Sequence, residues 1–140
     1  RWRLSSQSIK KVGRAFMSNL LSITTVFMGG GLGALLRWSL SSIVSNQLKV
    51  FWAGTLFVNL LGSLIFFLLS KIELSTSPIN LNLALKTGLL GSLTTFSTFS
   101  FEIISLLRNG KMLEGLSVAL LNLLFCTLIG VFIFKDDISI

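Results

Sequence analysis

Charged residues punctuate this chain at intervals that suit a bilayer. Uncharged runs extend over Ala15–Leu36, between Lys49 and Lys71, and over Gly115–Phe134. Each is long enough to cross a hydrocarbon core about 30 Å thick, which takes about 20 residues at a rise of 1.5 Å. The first run ends at Arg37 and Trp38, a cation and an aromatic suited to the membrane interface. The last ends at Lys135. A further uncharged stretch, between Lys86 and Glu102, is too short to span alone, so a full crossing carries Glu102 inward and continues to Leu107. A carboxylate near mid-bilayer costs about 2.5–3.5 kcal/mol on insertion scales, and less nearer the interface. Glu102 is therefore expected to face protein or water rather than lipid.

That third segment reads GLLGSLTTFSTFSFE from Gly88 to Glu102. Hydroxyls at Ser92, Thr94, Thr95, Ser97, Thr98 and Ser100 alternate with Phe96, Phe99 and Phe101. A bilayer has no water to satisfy such groups, so the stretch must face protein or a wet path. Gly, Ser and Thr also weaken a helix. The pattern predicts a third membrane helix that is broken, lined with hydroxyls and ring edges, and suited to the passage of a small solute.

Connections are short. Ser75-Thr76-Ser77-Pro78 marks the loop after span two, and Asn109-Gly110 the turn before span four. Gly29-Gly30-Gly31 with Gly33 and Ala34 reads as a small-residue face for close helix packing; a phosphate loop would need a preceding strand and a soluble fold. The chain divides into a basic head (1–16), a four-helix membrane unit (17–135) and a short tail (136–140). The head holds Arg1, Arg3, Lys10, Lys11 and Arg14 and no acid. Its simplest reading is an extension ahead of a start at Met17, artefactual or disordered; the alternatives are a targeting segment and a basic arm on the membrane surface. From Met17 onward, Lys71, Lys86 and Lys135 fall to one side of the membrane and Arg37, Lys49, Arg108 and Lys111 to the other. So even a balance gives almost no orientation bias, which permits two opposed copies to pair.

Composition narrows the function. Across 140 residues the chain is 52% hydrophobic and 12% charged, with a mean hydropathy of +0.85, which leaves no room for a separate soluble domain. It has no His and a single Cys, Cys126, so no His/Cys metal cluster, Ser-His-Asp triad or internal disulfide is available. An enzyme is not expected. The net charge of +7 lies mostly in the head and does not point to nucleic acid.

Four motifs occur in order: GGGLGALLRW (Gly29–Trp38), GTLFVNLLGS (Gly54–Ser63), GLLGSLTTFSTFSFE (Gly88–Glu102) and NLLFCTLIG (Asn122–Gly130). Together they resemble the Fluc/CrcB family of small fluoride channels, over roughly Met17 to Phe134. The resemblance implies an all-α integral membrane protein of the cell membrane, with four transmembrane helices per subunit, the third broken. It implies an antiparallel, dual-topology homodimer with two fluoride pores along its interface; a heterodimer with a paralogue is the variant arrangement. Carried over by motif position, Asn59, Phe96 and Phe99 belong to the pore, Arg37 ends helix one, and Glu102 follows the Phe motif. Thr55 joins Arg37 and Glu102 as a structural or vestibule residue. A structural Na⁺ at the dimer centre is implied, held by the carbonyls of Gly91 and Thr94 from both copies. One departure is Cys126, where the family usually has a serine. A thiol is a weaker donor, so Thr127 or Thr98 is expected to compensate.

The residue chemistry agrees with a fluoride path. Fluoride is small and strongly hydrated, so its lost water must be replaced at close range. Asn59 offers amide donors, and Thr95, Thr98 and Ser100 offer hydroxyls. Phe rings carry a positive edge, and Phe96 and Phe99 are i, i+3 neighbours on a helix. Edge contacts hold an anion weakly, which permits release. Two other readings compete. A small multidrug-type, proton-coupled antiporter needs a membrane-embedded carboxylate, and only Glu102 qualifies. A non-transporting accessory subunit would account for four spans but not for the polar density of the third.

Overall fold

The computed structural model describes residues 6–72 and 81–137, and among these every regular element is helical. Helix α1 runs Ser6–Leu48, α2 Ala53–Lys71, and α5 Met112–Ile133. Between α2 and α5 the chain forms a π-helical stretch, Leu83–Leu90, that passes into one α turn, Gly91–Leu93; together these are α3. Helix α4 follows at Phe96–Arg108. Among the described residues, four spans are long and apolar enough to cross a membrane: Phe16–Leu48, Ala53–Lys71, Leu83–Arg108 and Met112–Ile133. The expected loop at Ser75–Pro78 lies outside the described residues, as do the ends of the basic head and of the tail.

Two boundaries differ from expectation. Arg37 does not end the first helix: α1 continues to Leu48. Nothing between Trp38 and Leu48 breaks a helix, since the stretch has no Gly or Pro. The extra turns have a packing partner in α2, where a side chain at Gly54 would collide with the carbonyl of Ser41. Lys86, expected in a loop, lies inside α3. The α4–α5 turn is as anticipated, with Gly110 at φ 74°, a left-handed conformation that suits glycine.

Small residues let α1 and α3 cross closely. A Cβ at Gly29 would run into the carbonyl oxygen of Ala84, and one at Gly33 into that of Leu89. From the other side, a Cβ at Gly88 would lie 2.9 Å from the carbonyl of Val26. In lipid such close backbone approach is a main source of helix association, because burying apolar surface gains little. The interior forms two clusters. Val58, Leu90 and Leu93 pack at the α2–α3 side, and Phe99, Leu106 and Val118 at the α4–α5 side. The junction of α3 and α4 falls between them. Many large apolar side chains point outward, including Phe27, Leu113 and Phe132, as a lipid-facing surface requires.

Candidate functional site

The third span is broken at Thr94 and Thr95, whose ψ angles of 153° and 119° are extended. A break here leaves backbone groups without helical partners, and in a membrane these must be satisfied by protein. Asn59 of α2 does so from both sides. Its Oδ1 accepts from the Thr95 N–H at 2.8 Å, and its Nδ2 donates to the Thr95 carbonyl at 3.2 Å. The same Nδ2 donates to Asn122 Oδ1 of α5 at 2.9 Å, and Asn122 Nδ2 reaches the Val118 carbonyl at 3.2 Å. Asn59, Thr95 and Asn122 are all buried. One amide therefore ties α2, the break and α5 together. Helix α4 is started by Thr95, whose Oγ1 accepts from the Thr98 N–H at 3.2 Å, an N-cap.

These diversions have a consequence for the carbonyls. In a continuous helix the N–H groups of Thr95 and Thr98 would serve the carbonyls of Gly91 and Thr94. Here they go to the side chains of Asn59 and Thr95 instead. Carbonyl oxygens relieved of helical donors are hard ligands of the kind that hold alkali and alkaline-earth cations. Gly91 and Thr94 therefore fit a bound Na⁺.

Beside the break lies a cavity of about 270 Å³, with room for several water molecules. Asn59, Thr95, Phe96 and Phe99 line it, with Asn122 and Cys126 opposite. Phe99 is 5% exposed and Phe96 73%, so one ring is held in the interior and the other stands at the open side. Their centroids are 5.4 Å apart and the planes tilted by 59°, so the two rings meet tilted rather than stacked face to face.

The sequence-predicted residues thus divide. Asn59, Thr95, Phe96 and Phe99 meet at one cavity. Thr98 and Ser100 do not line it. Thr98 is exposed, and the Ser100 hydroxyl donates back to the Phe96 carbonyl at 2.9 Å. Of the two hydroxyls expected to stand in for Cys126, only Thr127 borders the cavity, and it too donates to its own helix, at the Leu123 carbonyl. Cys126 itself lines the cavity.

Glu102 and Thr55 form a separate pair. Thr55 Oγ1 donates to Glu102 Oε1 at 2.6 Å, both side chains are buried, and Glu102 Oε2 has no hydrogen-bond partner among the described residues. The carboxylate faces protein, as expected. Arg37 is not joined to it: the ion pair found among the described residues is Lys111–Glu114, at 3.3 Å.

A profile of the CrcB-like protein, Camphor Resistance (CrcB) family matches residues 24–134 of this chain. The chain belongs to the CrcB family. Among curated relatives, the fluoride-specific ion channel FluC of Ruminiclostridium cellulolyticum is 41% identical over 114 residues, covering 79% of this chain and 87% of the relative. The FluC protein of Clostridium perfringens is 42% identical over 120 residues, covering 84% and 93%. That of Aquifex aeolicus is 43% identical over 102 residues, covering 70% and 82%.

Sequence reasoning passed over two members of this CrcB-type site. Asn122, which the sequence offers only as the first residue of the helix-four motif, borders the cavity and joins α5 to α2 by accepting from Asn59. Ser63 also lines the cavity, and no hydrogen bond engages its hydroxyl among the described residues. The signal was present, because Ser63 lies four residues after Asn59 on one helix face.

Proposed function

We infer that this chain is a fluoride-selective channel that lets the toxic anion leave the cytoplasm passively across the membrane. The observation that carries the reading is the Asn59-clipped break beside the Phe96–Phe99 pair, in a chain of the CrcB family. In this reading fluoride passes along the aromatic cavity. Ring edges of Phe96 and Phe99 supply weak, positive-edged contacts, and the Ser63 hydroxyl supplies a donor not already engaged. Both N–H groups of Asn59 already have protein acceptors. Its first role is thus to hold Thr95 in place, and it meets the ion by exchanging one of those partners. Thr98 and Ser100 belong to the shape of α4 rather than to the cavity wall.

The working unit is two copies in opposite orientation. Two carbonyls, Gly91 and Thr94, are too few to hold a cation alone, and a second inverted copy doubles them. A bound Na⁺ would supply positive charge that steadies the junction and favours anions nearby. Arg37, Glu102 and Thr55 support the assembly from outside the cavity.

The test is fluoride efflux from liposomes containing the purified protein, with a K⁺ ionophore to dissipate charge. Fluoride release with chloride retained is the expected outcome. Phe96→Ile should lower the flux at least tenfold while the protein still elutes as wild type, because Phe96 is exposed and contributes little packing. Equal chloride and fluoride release, or wild-type flux in the variant, would reject the reading.

A further inference from the structure

Lys86 lies in the first turn of the third membrane span, near its end, where a long basic side chain can reach the interface while bordering an ion path. The other lysines near the spans have evident partners or positions. Lys71 Nζ donates to the Ile133 carbonyl at 2.8 Å, and Lys111 pairs with Glu114. Lys86 has no carboxylate partner among the described residues; its Nζ lies 6.0 Å from the centroid of the Phe66 ring, at the outer reach of a cation–π contact. It borders a cavity of about 240 Å³ together with Ser63, Phe66, Gly91 and Thr94. Two of these, Ser63 and Thr94, also line the aromatic cavity. The two spaces thus share a wall, and the shared wall carries the unengaged Ser63 hydroxyl.

We propose that Lys86 and Ser63 form a second site for a small monovalent anion, in series with the aromatic cavity and specific to the charge at Lys86. The inference rests on the channel reading above. An ammonium and a hydroxyl across a small cavity are a donor set for a halide-sized anion. Lys86 is only partly buried, so its charge acts through a wet cleft, drawing the ion in without the deep well a dry ammonium would create. The role is to raise the anion concentration at the aromatic cavity, not to replace the ring edges.

The experiment measures initial fluoride efflux from liposomes over a range of fluoride concentrations, for wild type, Lys86→Gln, Lys86→Arg and Lys86→Glu. At low fluoride, Lys86→Gln should be slower by roughly fivefold, the factor expected for one charge a few ångströms away in water. At high fluoride the gap should close. Lys86→Arg should keep the wild-type concentration dependence, and Lys86→Glu should be slower than Lys86→Gln. Raising ionic strength with potassium gluconate should slow wild type toward Lys86→Gln and leave the Gln variant unchanged, which a purely structural role would not produce. If Lys86→Gln elutes as wild type and shows the wild-type concentration dependence, the second site is overturned while the channel reading stands. If the wild-type protein passes no fluoride, both fall.

Discussion

Asn59 concentrates the residue-scale argument. Its amide copies the hydrogen-bonding pattern of a peptide group and closes both sides of Thr95. Removing it leaves a buried N–H and a buried carbonyl unmatched, each costing about 1–3 kcal/mol. Asn59→Leu should therefore lower stability by at least that much, seen as a lower melting temperature in detergent, and should abolish fluoride efflux. A melting curve unchanged from wild type would show that the clip is dispensable. Asn59 and the Phe pair were legible through the family resemblance, because their motifs occur in the family's order and no one of these residues is diagnostic by itself. The partner of Asn59 was not, since nothing in a linear string says which buried Asn will meet which. That Thr98 and Ser100 stand outside this cavity was not legible for a related reason. Hydroxyl density identifies a segment that must satisfy its polar groups, but a hydroxyl bonded to its own helix looks the same in sequence as one facing a cavity.

At the scale of elements, the four spans could be read from charge spacing, and the broken third one from its composition. The far end of α1 could not, because interfacial residues such as Arg37 and Trp38 are compatible with both a helix end and its interior. Nor did composition announce the π-helical turns of Leu83–Leu90, which lie against the glycine face of α1. That face offers an internally controlled test. Gly33→Val places carbon on the Leu89 carbonyl and should destabilise the protein by about 1–3 kcal/mol, the usual range for overpacking. Gly31→Ala, two residues away, meets nothing within 4 Å and should be neutral or slightly stabilising. Denaturant titration in detergent micelles distinguishes them; equal losses for both would mean that the helix, rather than the crossing, is what the glycines serve.

For the molecule as a whole, the issue is completeness. A single copy presents an open cavity, an exposed Phe96 and two carbonyls diverted from helical bonding, each a half-formed feature. In the proposed assembly two inverted copies around a central Na⁺ would complete them in one step, and this leads to a further expectation. Exchanging Na⁺ for N-methylglucamine on both sides of the liposome should abolish fluoride efflux and lower the melting temperature, with both recovering when Na⁺ returns. Unchanged flux after exhaustive removal would reject the cation's part. Antiporter activity makes the opposite demand: transport of a lipophilic cation driven by a pH gradient and lost in Glu102→Gln. Glu102 is placed against Thr55, away from the aromatic cavity, which separates the membrane carboxylate from the path the rings define.

The clip at Thr95 has a last implication, for speed. Because a neighbouring helix supplies the missing bonds, the gap in the third span keeps its outline whether or not anything occupies it. A traveller past such a gap finds its surroundings already in position and asks of them one change, the exchange of a single Asn59 partner. In the proposed channel, throughput is then expected to follow how quickly a halide sheds and regains its water, with that one exchange as the step asked of the chain.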